Sequence, residues 1–104
     1  MSYYTEAIRL KPDQANAYNA RANARQTQGD MDGALADYAE AIRLKPDLAI
    51  AHFNRGTARR KNGHLQGAVA DFQKYLDLGG GFRYGDQSMV ESWIRELLEK
   101  LETG

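Results

Sequence analysis

The sequence predicts an all-α protein in which helical hairpins stack side by side, and three observations carry that expectation. A decapeptide, YTEAIRLKPD from Tyr4, recurs as YAEAIRLKPD from Tyr38 with a single change, Thr5 against Ala39. The interval is about 34 residues, and it also pairs Ala7 with Ala41, Ile8 with Ile42 and Leu10 with Leu44. Within the repeated stretch the apolar residues recur every three to four positions, the period of a helix with one buried face. Pro12 and Pro46 close the two copies, because proline lacks an amide donor and disfavours helical geometry at the residue before it.

The elements follow in chain order. Residues 2–12 read as one helix, the second helix of a hairpin, with Tyr3, Tyr4, Ala7 and Ile8 on an apolar face. Residues 15–48 form a full unit. Its first helix, from about Ala15 to Gln28, is rich in alanine and straight-chain residues and stops at Gly29-Asp30. Its second helix carries Ala34, Leu35, Tyr38, Ala41, Ile42 and Leu44 on one face, with Asp37, Glu40 and Arg43 between them. Residues 49–80 form the next unit: AHFNRGTARRKNGH from Ala51 aligns with AYNARANARQTQGD from Ala17, and Phe72, Leu76 and Leu78 take the places of Tyr38, Ile42 and Leu44. The glycines of GGGFRYGD make 79–87 a loop. In SMVESWIRELLEKL, over 88–102, Ser88 and Glu91 fit a capping box, and Val90, Trp93, Ile94, Leu97, Leu98 and Leu101 make an apolar stripe. This last helix reads as a cap over the open face of the last hairpin, with Trp93 as a core anchor; the sharper alternative is a partner-binding helix presented on a hinge.

Composition excludes several functions. With 104 residues, one domain over 1–104 is expected, burying about two-thirds of its unfolded surface. The 14 basic and 14 acidic residues cancel, so no bulk field draws the chain to nucleic acid or to an anionic membrane. There is no cysteine, hence no disulfide, thiolate metal site or thiol nucleophile. The first residues lack a signal-peptide pattern and no apolar run has the length of a membrane span, so a cytoplasmic location is expected.

The spacing and punctuation resemble the tetratricopeptide repeat family. Tyr18, Ala22, Gly29, Ala34, Tyr38, Ala41 and Pro46 stand at that family's signature places, and His52, Gly56, Gly63, Ala68 and Phe72 stand there in the next unit. Tyr75 and Gly80 depart from the pattern, which suggests that the stack ends there. The resemblance covers roughly residues 3–80 and implies a right-handed superhelical solenoid with about two full repeats, an N-terminal half repeat and a C-terminal capping helix.

The resemblance also implies a concave groove lined by first helices, holding an extended peptide or a partner helix. Carried over place by place, the first unit contributes Asn16, Asn19, Asn23, Gln26 and Thr27, and the second contributes Ile50, Phe53, Asn54, Thr57, Arg60 and Lys61. The asparagines suit clamping of a peptide backbone, Phe53 an apolar pocket, and Arg60 with Lys61 a docked carboxylate. The family's clamp for a C-terminal carboxylate needs a lysine where this chain has Asn19, so binding of chaperone tails by that device is not expected. Arg25 and Arg59 replace residues that are usually aromatic, and they are expected to pair with Asp37 and Asp71 on the antiparallel helix.

No catalytic constellation is apparent. His52 and His64 have no metal-ligand partner at helical spacing, and the glycine cluster lacks the order and spacing of a phosphate-binding loop. A non-catalytic interaction scaffold with no cofactor and no metal is therefore expected, binding a protein or peptide rather than nucleic acid or membrane. The alternative is a self-assembling unit, in which the face of Tyr3, Tyr4, Ala7 and Ile8 joins another copy into a homo-oligomer because its hairpin partner is missing from this chain.

Overall fold

The computed structural model describes residues 2–103. They form seven helices: α1 Ser2–Leu10, α2 Ala15–Thr27, α3 Met31–Leu44, α4 Ala49–Lys61, α5 Leu65–Asp77, α6 Gly80–Tyr84 and α7 Gln87–Thr103. α2 with α3 and α4 with α5 make two antiparallel hairpins; α1 packs on α2, α3 on α4 and α7 on α5, giving a stack 45 × 27 × 19 Å.

The two hairpin turns are built alike. The amide of Asp30 donates to Arg25 O at 2.8 Å and that of Gly29 to Gln26 O at 3.0 Å; His64 to Arg59 O at 2.8 Å and Gly63 to Arg60 O at 3.2 Å repeat the pattern. Gly29 at φ 86° and Gly63 at φ 81° supply the left-handed residue that this double closure of a helix end requires. Asp30 then caps α3 by accepting from the Gly33 amide at 3.0 Å, whereas His64 at the start of α5 makes no side-chain cap.

Alanines at the helix crossings let the backbones approach. Ala22, Ala34 and Ala58 surround Tyr38, and Ala15, Ala41 and Ala51 form a second small cluster with Leu44 and Leu48 packed against it. The largest apolar cluster lies at the far end, where Ala68, Phe72 and Tyr75 of α5 meet Val90, Ile94 and Leu97 of α7. α7 thus stands where a further first helix would stand.

Three expectations change here. The segment read as a glycine loop contains a helical turn, α6. Its glycines serve close packing: a Cβ on Gly80 would lie 2.2 Å from Tyr75 Cε1, and one on Gly81 2.1 Å from Gln87 Oε1. The capping box does not form, since α7 begins at Gln87, Ser88 lies inside it, and the Asp86 carbonyl accepts from the Val90 amide at 3.0 Å. The α7 stripe is also narrower than expected: Leu98 and Leu101 remain exposed because α5 reaches only the Val90, Ile94 and Leu97 side.

Candidate functional site

Between the helices of each hairpin sits one buried carboxylate with two arginines. Asp37 receives Arg21 through Nε and Nη2, both at 2.8 Å, and Arg25 through Nη1 at 2.9 Å. Asp71 receives Arg55 at 3.0 and 2.8 Å and Arg59 at 3.1 Å. The expected pairing of Arg25 and Arg59 is present. The two-pronged partners Arg21 and Arg55 were not foreseen, although their spacing of four residues from Arg25 and Arg59 places them on the same helix face. The Asp37 hydrogen bonds hold the Arg21 guanidinium above its ordinary pKa.

These pairs fix the register of α2 and α4, whose other faces meet across a shallow groove. A hollow of about 360 Å³ lies there. Asn23, Gln26 and Thr27 line it from α2; Phe53, Asn54, Thr57 and Lys61 line it from α4. All seven are among the residues expected from the sequence.

Hydrogen bonding gives this groove a polarity that residue types alone do not show. The Tyr38 hydroxyl is directed from behind at the Asn23 amide oxygen and, at 3.0 Å, at the Gln26 amide oxygen. The Asn19 oxygen accepts from Asn54 Nδ2 at 3.1 Å, a bridge between the two repeats. The single Tyr38 proton is shared between Asn23 and Gln26, the Asn19 oxygen is met by Asn54, and among the described residues the NH2 groups of Asn19, Asn23 and Gln26 make no hydrogen bond; Lys61 adds an ammonium. The Thr27 and Thr57 hydroxyls donate to the Asn23 and Phe53 carbonyls at 3.0 and 3.1 Å and keep only lone pairs for a ligand. Burial pushes the Tyr38 phenol up to about 12, so it remains a donor at neutral pH.

Asn16, Ile50 and Arg60, also expected in the groove, do not line this hollow. Asn16 and Ile50 border a second hollow of about 290 Å³ at the opposite ends of α2 and α4, together with Lys45, Asp47, Arg83 and Tyr84. The Arg60 guanidinium lies over the Trp93 ring at 4.5 Å. The Phe53 ring, which lines the larger hollow, packs against Phe72, Tyr75 and Trp93 at 5.9, 4.9 and 5.9 Å. On α1, Ile8 is buried against the stack, Tyr4 and Ala7 are half-buried, and Tyr3 and Leu10 are 77% and 66% exposed. Ile8 therefore belongs to the packed side of α1, and Leu10 to its open side. His52 is buried, with Nε2 2.8 Å from Pro46 O.

Tyr75 hydrogen-bonds Asp86 Oδ1 at 2.8 Å, and burial with this carboxylate raises its pKa. That bond anchors α6 and α7, and so places Arg83 and Tyr84 at the second hollow. No sequence signal marks those two residues, which stand in the segment read as a loop. Among the described residues no three His, Asp or Glu side chains group to hold a metal, and no helix is long and apolar enough to cross a membrane.

Comparison with known proteins agrees with this architecture. Residues 27–63 match the family model described as TPR repeat. A stretch of 34 residues is 59% identical to tetratricopeptide repeat protein 36 of Mus musculus and 56% identical to that of Homo sapiens. The matched stretch is 33% of this chain and 18% of either relative, so the likeness covers less than a fifth of those proteins. Among solved structures, the first TPR of Spaghetti (RPAP3) bound to the HSP90 peptide SRMEEVD superposes with a TM-score of 0.82 at 22% identity, covering 95% of this chain and 75% of that one. The Arabidopsis OM64 TPR domain gives 0.81 at 29% identity, covering 91% and 77%. The TPR2B domain of yeast Sti1 in its pHsp70 complex gives 0.80 at 21% identity, covering 93% and 78%. The repeat interval, the stacked hairpins and the matched model give this chain a TPR repeat over residues 27–63 and a fold shared with solved TPR domains.

Proposed function

We propose that this chain is a non-catalytic interaction module that holds an extended peptide in the groove between α2 and α4. The observation that carries this reading is the set of unpartnered amide NH2 groups at Asn19, Asn23 and Gln26, whose oxygens face the Tyr38 hydroxyl or Asn54 Nδ2. Three amide donors in a row, with Lys61 at the end, match a row of backbone carbonyls or carboxylates. Two of the structural neighbours are complexes, one bound to the HSP90 peptide SRMEEVD and one a complex with pHsp70, which supports peptide binding as the use of such a groove. Panning a random peptide library against the protein tests the reading: selected peptides lose binding to a variant with Asn23→Asp and Lys61→Glu, and a library that yields no peptide sensitive to this variant overturns it.

A second reading is self-association. Leu10 occupies the repeat place of Leu44, which packs against the second alanine cluster, yet Leu10 is 66% exposed, and Tyr3 on the same helix is 77% exposed. Concentration-dependent mass in sedimentation that Leu10→Glu abolishes supports it, and a constant monomer mass removes it.

A further inference from the structure

The groove has two cationic ends. At one, Lys61 closes the 360 Å³ hollow. At the other, Lys45 and Arg83 border the 290 Å³ hollow, facing the single carboxylate of Asp47. Among the described residues none of these three cations lies within ion-pair distance of a carboxylate, in contrast to Arg21, Arg25, Arg55 and Arg59. Arg83 owes its position to α6, its guanidinium lying 5.8 Å from the Tyr84 ring.

The two hollows lie along the same pair of helices. Both are walled by α2 and α4: Asn16 and Ile50 at one end, Thr27 and Lys61 at the other. The Asn19–Asn54 hydrogen bond ties the two helices together, with Asn54 itself lining the larger hollow. From Ile50 to Lys61 the helix rises about 16 Å, at about 1.5 Å per residue. An extended chain covers that distance in about five residues, at about 3.3 Å each.

Resting on the groove reading above, we infer that its ligand is an extended peptide segment carrying two acidic side chains about five residues apart, one held by Lys61 and the other by Lys45 and Arg83. Between them the peptide carbonyls lie over the amide donors of Asn19, Asn23 and Gln26. Near the Arg83 end, Ile50, Leu78 and Tyr84 offer an apolar wall for a side chain next to the acidic one. The recognition needs no free C-terminus, because both charged ends are met by side chains.

The test uses fluorescein-labelled, C-terminally amidated peptides of one composition, each with two glutamates at separations from roughly i,i+2 to i,i+8, measured by fluorescence polarisation. Affinity is expected to peak at separations of about four to six, where both cationic ends are reached. Arg83→Ala and Lys61→Ala are each expected to weaken the best peptide about three- to tenfold, the range of a charge-assisted contact at an exposed rim, and to flatten the dependence on separation. Both side chains are exposed in the structure, so the fold is expected to persist, and unchanged circular dichroism verifies it. Binding that ignores separation and is indifferent to Arg83→Ala overturns the two-ended ligand while leaving the groove reading intact. Failure of the whole series to bind overturns the two-ended ligand as well, and the groove itself is then judged by the library experiment.

Discussion

Arg21 and Asp37 meet through two parallel N–H···O bonds of 2.8 Å each, and Arg55 meets Asp71 in the same way one repeat later. This planar fork fixes the rotation of the first helix against the second, and it does so at the contact that aims the opposite helix face at the groove. Asp37 and Asp71 are only 4% and 2% exposed, so each depends on its arginines for compensation.

Removing a carboxylate is therefore expected to be severe. Asp71→Ala leaves Arg55 and Arg59 facing each other without an anion, and a loss of about 3–5 kcal/mol follows the cost of breaking a buried pair. Arg59→Ala keeps the two-pronged Arg55 bond and is expected to cost about 1 kcal/mol. Urea unfolding followed by circular dichroism compares the two, and equal losses would contradict the assignment of Arg55 as the main partner.

The Tyr38 phenol gives a dependence on alkaline pH. In the unfolded chain it ionises near 10, whereas in the fold burial raises it to about 12. A raised value means that its contribution is complete below pH 10 and is lost as pH climbs from 10 to 12. Unfolding free energy is expected to fall over that window, and Tyr38→Phe is expected to reduce the slope by up to about 1.4 kcal/mol per pH unit. An identical slope in the variant would refute the assignment.

Gly56 holds the place that Ala22 holds one repeat earlier, but the two are not interchangeable. A Cβ on Gly56 would approach Phe72 Cε1 to 2.9 Å and Asp71 Cβ to 3.1 Å, both within the α4–α5 contact. Gly56→Ala gains about 1 kcal/mol of helix propensity and loses about 1–3 kcal/mol to overpacking, so a net loss of about 1 kcal/mol is expected. A thermal midpoint higher than that of the parent would mean that Phe72 moves aside without cost.

The interval between repeats and the ALADY motif beside NARQ were enough to read the hairpins and the Arg25–Asp37 pair. They work because a helix hairpin is a local structure whose contacts recur with the sequence. The end of the stack was not legible in this way. Gly80 and Gly81 have the composition of a loop, and their close packing against Tyr75 and Gln87 depends on partners brought in by α6 and α7. The seat of Arg60 was likewise not legible, because it lies over Trp93, more than thirty positions away in the chain. The groove residues were readable by place, yet the direction of their amides was set by Tyr38 and Asn54, which no periodicity encodes.

That direction supports the last expectation. Asn19→Asp and Asn23→Asp keep size and shape, and the carboxylate oxygens still accept from Asn54 and Tyr38. Only the unpartnered NH2 groups become acceptors. If the groove binds through those donors, each substitution places a negative oxygen against a ligand carbonyl or carboxylate, and the pair together is expected to weaken binding more than tenfold, about 1.4 kcal/mol or more. Stability is expected to change by less than about 1 kcal/mol, because both internal hydrogen bonds persist. Calorimetric titration with a library-selected peptide, run beside urea unfolding of the same variant, reads both quantities. Full affinity in the doubly substituted protein would show that the ligand contacts some other face, whereas lost affinity with intact stability separates a donor role from a structural one.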